Sequence, residues 1–304
     1  MPKEGALRWW AIARDAFRLW LDCNAFSHAA SLAFYTLFSL APVFIVSVTV
    51  IGLVLGEGAA HGQIVAQLQD VMGREAALAV EQTVARSRIE ESGLLPTVLG
   101  VAALLVGATT VFAQMQYSLN TLWGVAARPS VGSIVTFLKS RLLSLTVVLA
   151  IGLVLLGSML FGVLLRAVLR FAHRFAPEAA TLMSGTELLA SLLAVALGFC
   201  AIFKVLPDVV LRWRDVVGGA LLTALLFSVG RYAIAVYLAY TATASAYGAA
   251  GSVVLILLWV YYSSLILLFG AAFTKSHLLA RGRPVVPRNS AALVRQEFVA
   301  DPPP

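Results

Sequence analysis

Apolar runs long enough to cross a bilayer alternate with short polar stretches along most of this chain. A helix crosses a hydrocarbon core of about 30 Å with roughly 20 apolar residues. Six stretches meet or approach that length: 29–56, 94–113, 142–165, 188–206, 216–240 and 250–274. His28 and Glu57 bound the first, and Arg141 and Arg166 bound the third. The fourth is the shortest; Lys204 near its end can snorkel on its long stem, and Pro207 supplies a stop. Across 216–274 the only charge is Arg231, and this stretch is too long for one crossing and suits two. The small, polar run 241–248 is the natural hairpin between them. The pattern predicts an all-α, polytopic membrane protein with six transmembrane helices.

The segments outside the spans also carry patterns. Over residues 7–22, Trp9, Trp10, Ala13, Phe17, Trp20 and Leu21 fall on one helical face, opposite Arg8, Asp15, Arg18 and Asp22. Such a helix suits the headgroup plane of the membrane, and a helix packed beneath the bundle would use the same face. Its acidic residues and the long apolar run that follows distinguish it from a cleaved signal peptide. Residues 1–26 are therefore read as an interfacial helix and 27–278 as the six-helix domain. Within that domain the loop 57–93 is too long for a structureless connection. Ile64, Leu68, Val71 and Met72, then Leu78 and Val84, predict two short amphipathic helices there. The tail 279–304, with Pro284, Pro287 and three closing prolines, is expected to be poorly ordered.

Composition agrees with a membrane chain: 304 residues are 60% hydrophobic and 12% charged, with mean hydropathy +0.90. A net charge of +7 would suggest nucleic acid in a soluble chain, but here its distribution decides. With six spans, the N-terminal segment, the second and fourth connections and the C-terminal segment share one side and hold fifteen Lys and Arg. The opposite side holds six, and its first loop adds six acidic residues. Basic residues collect on the cytoplasmic side, so both termini are predicted to be cytoplasmic. Cys23 and Cys200 lie far apart and suggest no disulfide or metal framework.

Candidate chemistry is sparse. Ser27, Ser31, Tyr35 and Ser39 recur every four residues with Thr36 beside them, giving the first span a hydroxyl face. Pro42 then removes a backbone donor and crowds the Phe38 carbonyl. Two readings fit: helix packing through small hydroxyl residues, or a substrate path. Arg231 lies sixteen residues beyond Asp215, about 24 Å along a helix at roughly 1.5 Å per residue. It either snorkels to the outer surface or faces the bundle interior, where functional intramembrane charges usually sit. Tyr261 and Tyr262 lie in mid-span and need hydrogen-bond partners. Gln114, Gln116 and Asn120 end the second span, at the headgroups or in an inner vestibule. Nuclease chemistry wants clustered His and carboxylates, yet His28, His61, His173 and His277 are scattered singly and no predicted span holds an acid. No phosphate-cradling Gly-Lys-Ser/Thr loop is present. No catalytic residue, cofactor or metal site is predicted.

Two stretches carry more specific information. Residues 29–44, AASLAFYTLFSLAPVF, and 206–274, containing LPDVVLRWRDVVGGALLTALL and ASAYGAAGSVVLILLWVYYSSLILLFGAAFT, resemble the opening and closing signatures of the YihY/BrkB family of inner-membrane proteins. SLNTLWGV, at 118–125, resembles its segment after the second helix. The resemblance implies six transmembrane helices with cytoplasmic termini, and a role discussed as transporter or envelope factor, with an older ribonuclease BN label. Where that family usually has a glutamate after Gly-Ala in the last helix, this chain has Gly270-Ala271-Ala272.

The residues together point to a transporter or exporter of an anionic or amphiphilic solute or lipid. Its substrate path would use Ser31, Tyr35, Ser39, Pro42, Arg231 and Tyr261. The rival is a non-transporting envelope-integrity protein that binds partners, and ribonuclease activity is the weakest alternative. Membrane lipids are the expected surroundings, nucleic acid is not an expected partner, and a homo-oligomer stays open.

Overall fold

Helix-length apolar runs separated by glycine, asparagine and proline dictate helices joined at sharp corners, and the computed structural model has that form. It describes residues 2–39, 69, 77–78, 110–128, 180–240 and 249–294. The described helices are numbered here α1 (Pro2–Asp22), α2 (25–39), α3 (110–123), α4 (Ala180–Val205), α5 (Trp213–Tyr240) and α6 (Ala249–Ala280). Two short strands, β1 (Val125–Ala127) and β2 (Ala291–Leu293), complete the order. The predicted span 142–165 and all but fragments of the loop 57–93 lie outside the described residues, as do most of 94–113 and the part of 29–56 beyond residue 39. Among the described residues two stretches are long and apolar enough to cross a membrane, Trp213–Ile234 in α5 and Val253–Ala280 in α6. Ser191–Val205 in α4 is a shorter apolar helix.

α5 and α6 pack antiparallel through two glycine-threonine pairs. Gly219 lies under Thr274 and Gly270 under Thr223, so that a Cβ on either glycine would collide with the opposing hydroxyl. Both threonines are fully buried. Each returns its hydroxyl to the glycine one turn earlier on its own helix, Thr223 to Gly219 O at 2.6 Å and Thr274 to Gly270 O at 2.8 Å. The crossing therefore exposes no polar atom to lipid, while the missing side chains let the backbones approach. Farther up, the Tyr262 ring covers Gly230, continuing the same antiparallel register. α4 joins on the other side of α5 through Phe199 against Phe227, which in turn meets Trp259 of α6 edge-on.

α1 runs along α6 in the opposite direction. Trp20 donates its indole N–H to Leu265 O at 3.1 Å and sets its ring against Phe269. Trp9, eleven residues earlier, stacks on Phe273 and His277 farther along α6. The buried stripe is Ile12, Ala16 and Trp20, spaced by four, whereas Trp9, Trp10, Phe17 and Leu21 are exposed. The single apolar face expected from sequence is thus two faces, one packed and one open. Asn24, with φ of 53°, turns the chain into α2, and its carbonyl receives the N–H groups of Ser27 and His28. A left-handed residue at this corner costs little as asparagine.

The buried core collects at one end of the bundle. Ile12, Ala16 and Trp20 of α1, Leu119 and Trp123 of α3, Phe203 of α4, Val216 and Ala220 of α5 and Leu268, Ala271 and Ala272 of α6 form it. The same end gathers the segment after α3, the connection 206–212 and the tail. The tail corrects the sequence reading, because residues 281–294 follow a defined path where disorder was expected. α6 closes in a Schellman motif: Gly282 at φ 70° donates to Leu279 O and Arg283 donates to Leu278 O. Pro284 follows, where the helix cannot continue. The redirected chain exchanges backbone bonds with 206–212, Val210 N–H to Val286 O at 2.8 Å and Arg288 N–H to Asp208 O at 2.9 Å. β2 then pairs antiparallel with β1, Val125 opposite Leu293 and Ala127 opposite Ala291. The prolines sit where no N–H is required, so proline content does not prevent order.

Two expected outcomes follow from this packing. Gly219→Ala or Gly270→Ala should destabilise the detergent-solubilised protein by about 1–3 kcal/mol, the cost of overpacking a tight contact. Gly198→Ala, with no atom within 4 Å of the added carbon, should be neutral or slightly stabilising in the same thermal unfolding assay. At the tail, Asp215 is buried and bonded to the Arg283 guanidinium. Arg283→Ala leaves that carboxylate short of its cation and should lower stability by about 2 kcal/mol, whereas Arg281→Ala, an exposed position, should change the melting temperature little.

Candidate functional site

The described residues singled out from sequence for the substrate path lie on three helices, α2, α5 and α6. On α2, Ser31 donates to Ser27 O and Ser39 donates to Thr36 O, each at 3.0 Å. Both hydroxyls are held by their own helix, and Ser39 is buried. Tyr35 lies between them and is exposed, in a row with Phe34 and Phe38. Pro42 lies outside the described residues. On α5, Arg231 is half-buried and engaged within the protein. The residue before it, Gly230, is the seat of the Tyr262 ring. The structure therefore brings Tyr262 onto the arginine's turn of α5, while Tyr261, the residue chosen from sequence, is its half-buried neighbour on α6. The missing side chain at Gly230 was the signal that distinguishes the two tyrosines.

A second polar group forms where the core end of the bundle meets its loops. Asp208 accepts from Asn120 Nδ2 at 2.8 Å and Gln116 Nε2 at 3.1 Å, and its own N–H donates to Asn120 Oδ1 at 2.8 Å. The two amides are four residues apart on α3, so one helix face presents both. Sequence reading left Gln116 and Asn120 at the headgroups or in an inner vestibule; their acid is 88 residues away beyond Asn120 and carries no local cue. Ser118, on the same helix, donates to Gln114 O at 2.9 Å and lies 3.0 Å from His28 Nδ1. One hydroxyl has one proton, so the Ser118 oxygen accepts and His28 Nδ1 carries a hydrogen. Burial holds the imidazole below its ordinary range, which favours the neutral Nδ1–H form.

Cations cap the same end. Lys275 donates to Leu122 O at 2.8 Å, in the last turn of α3, just before the left-handed Gly124. Lys204 reaches Leu211 O, and Arg288 donates to Lys204 O at 3.2 Å. Asp215 accepts from the Arg212 N–H at 2.8 Å, a carboxylate three residues into α5 reaching back to its cap, and is also paired with Arg283. Cys23 donates its thiol to Trp20 O at 3.2 Å, and burial pushes its pKa up. Among the described residues no buried side-chain nitrogen or oxygen lacks a partner, and no three His, Cys, Asp or Glu side chains converge as metal ligands. The arrangement fastens helix ends to one another; its acids are held by amides, an N–H and a guanidinium.

Comparison with known proteins places the whole assembly. The family model described as virulence factor BrkB matches residues 16–290, a range that reaches from α1 to the strap formed by the tail. A UPF0761 membrane protein of Xanthomonas oryzae pv. oryzae (strain PXO99A) is 30% identical over 286 residues, covering 90% of this chain. Relatives of the same name in Xanthomonas axonopodis pv. citri (strain 306) and Xanthomonas campestris pv. campestris (strain B100) are 30% and 29% identical over the same share. This chain spans 62–63% of the length of those three relatives. No solved structure matches. The coverage of the family model, the apolar helices and the named membrane relatives agree with the signatures at both ends of the chain, which belongs to the virulence factor BrkB family of membrane proteins.

Proposed function

We propose that the protein is a multi-pass protein of the bacterial inner membrane, with six transmembrane helices and both termini cytoplasmic, that moves an anionic or amphiphilic solute or lipid. The observation that carries this reading is Arg231, a half-buried arginine inside the apolar stretch Trp213–Ile234, one residue from the Gly230–Tyr262 contact. A charge at that depth is costly and is retained where it meets an interior path. Topology is supported by the gathering of the N-terminal helix, the segment after α3, the connection 206–212 and the tail at one end of the bundle, the end richest in Lys and Arg. On this reading the protein is not an enzyme and uses no cofactor or metal. A second reading, a partner-binding envelope protein, is favoured by one observation: α1 leaves Trp10, Phe17 and Leu21 exposed.

Topology is checked with reporter fusions. Fusions after Arg128, Leu211 and Leu279 should report cytoplasm and a fusion at Ser245 the exterior; an external signal at Leu211 overturns the six-span arrangement. The arginine is checked by comparing the solutes and lipids retained by purified wild-type and variant proteins. Arg231→Ala should lose the retained anionic species while the protein still inserts, and Arg231→Lys should recover part of it, because charge matters more than fork geometry for a diffuse anion. Tyr262→Phe should give a smaller loss, of order 1 kcal/mol for one hydroxyl. An Arg231→Ala protein that retains the same species, together with labelling of Arg231→Cys by an impermeant reagent from outside, identifies a snorkelling side chain and favours the partner-binding reading.

A further inference from the structure

The lower end of α5 combines features the transport reading does not use. Trp213 opens the helix, and Val217, Leu221, Leu225 and Val229 follow it at intervals of four. All five are exposed, so one face of a membrane-spanning stretch is an unbroken apolar ridge that ends on a tryptophan. Arg212 and Arg214 bracket that tryptophan and are exposed as well. The carboxylates of the connection 206–212 and of α5 are already committed, Asp208 to Asn120 and Gln116 and Asp215 to Arg283 and the Arg212 N–H. Lys204, Arg283 and Arg288 are likewise engaged, by Leu211 O, Asp215 and Lys204 O. Among the described residues no carboxylate of the connection 206–212 or of α5 is left to offset Arg212 and Arg214, which present their positive charge at the surface.

We propose that this end of α5 binds an anionic phospholipid, with the headgroup phosphate against Arg212 and Arg214 and an acyl chain along the ridge from Val217 to Val229. Each part of the surface matches one part of that molecule. The guanidinium fork fits phosphate oxygens in pairs, which a lysine cannot do. An indole is at home at headgroup level, apolar on its body and polar at its N–H. The ridge lies within the stretch that crosses the bilayer, where acyl chains are the neighbours at hand. The uncompensated charge selects an anionic headgroup over a zwitterionic one. On the proposed topology the site faces the inner leaflet, and it is independent of Arg231, which lies toward the other end of the same helix.

The full chain, purified in detergent and stripped of lipid, is titrated with phosphatidylglycerol or phosphatidylcholine and the bound copies are counted by native mass spectrometry. Phosphatidylglycerol should bind in preference, and each of Arg212→Gln and Arg214→Gln should weaken it roughly fivefold, as expected for one basic residue near an anionic headgroup. Arg14→Gln with Arg18→Gln removes two charges from α1, as many as Arg212→Gln and Arg214→Gln together, and should leave the preference intact. Only the Arg212 N–H takes part in the α5 cap, so the side-chain changes spare it. If the glutamine variants do not fold, Trp213→Ala tests the same site and should reduce binding. Equal binding of the two lipids, an equal loss from the α1 pair, full retention in Trp213→Ala, or displacement of the lipid by glycerol phosphate at the same concentration overturns the proposal.

Discussion

The close approach of α5 and α6 is the constraint on which the remaining packing depends. In lipid the hydrophobic effect does not drive helices together, so contact must come from fit and from polar atoms that are satisfied before they meet. Gly219 and Gly270 supply the fit, and the Thr274 and Thr223 side chains fill the hollows with hydroxyls that stay bonded within their own helices. The arrangement is reciprocal, so a slip of one helix along the other would set each threonine against a side chain in place of a glycine. Register fixed at this level also places Phe203 of α4 over Gly270 and brings His277 beside Gly218. Those contacts in turn position the surface on which α1 lays Trp9 and Trp20.

A second demand arises where chains leave the apolar layer. Backbone groups of connections must find partners, because helix hydrogen bonding ends there. The loop 206–212 cannot satisfy itself and takes its partners from the tail, through Val210 to Val286 and Asp208 to Arg288. The tail can reach them only because Gly282 adopts a left-handed conformation and turns α6 back on itself. The result links α3, α4, α5 and α6 at one end through short polar contacts. The strap thus converts four helix ends into one unit, on which Arg212 and Arg214 are displayed at fixed positions.

Helices were legible in the sequence because their signal is local: length without charge, then glycine, asparagine or proline. The boundaries of α4, α5 and α6 lie close to the expected spans 188–206, 216–240 and 250–274, with each helix extending beyond them into its caps. What was not legible depends on partners far apart in the chain. A strand of three residues, Ala291–Leu293, has no period to detect, and it pairs with Val125–Ala127, more than 160 residues away. Pro284 and Pro287 then argued for disorder on composition alone. The face of α1 failed for a related reason: periodicity reports that apolar residues share a side, and both packed Trp20 and exposed Trp10 satisfy it. Tyr261 and Tyr262 are adjacent, and only the empty side of Gly230 on another helix separates their roles.

The position after Gly270-Ala271 bears on mechanism. The family signature leads one to expect a glutamate there, and this chain has Ala272. Ala272 is 0% exposed and Ala271 1%, within the core that α6 shares with α1, α3, α4 and α5. A carboxylate in that core would need a cation or several donors to offset its lost hydration. Of the cations that follow in sequence, Lys275 on α6 is committed to Leu122 O and Arg283, beyond the helix end, to Asp215, while Arg281 is exposed. Ala272 is consistent with those commitments: the layer is closed by apolar packing and asks nothing of its neighbours. Through 216–274 the charge that remains is the single arginine at 231, so on the proposed function electrostatic recognition within this stretch would rest on a cation and would favour an anion.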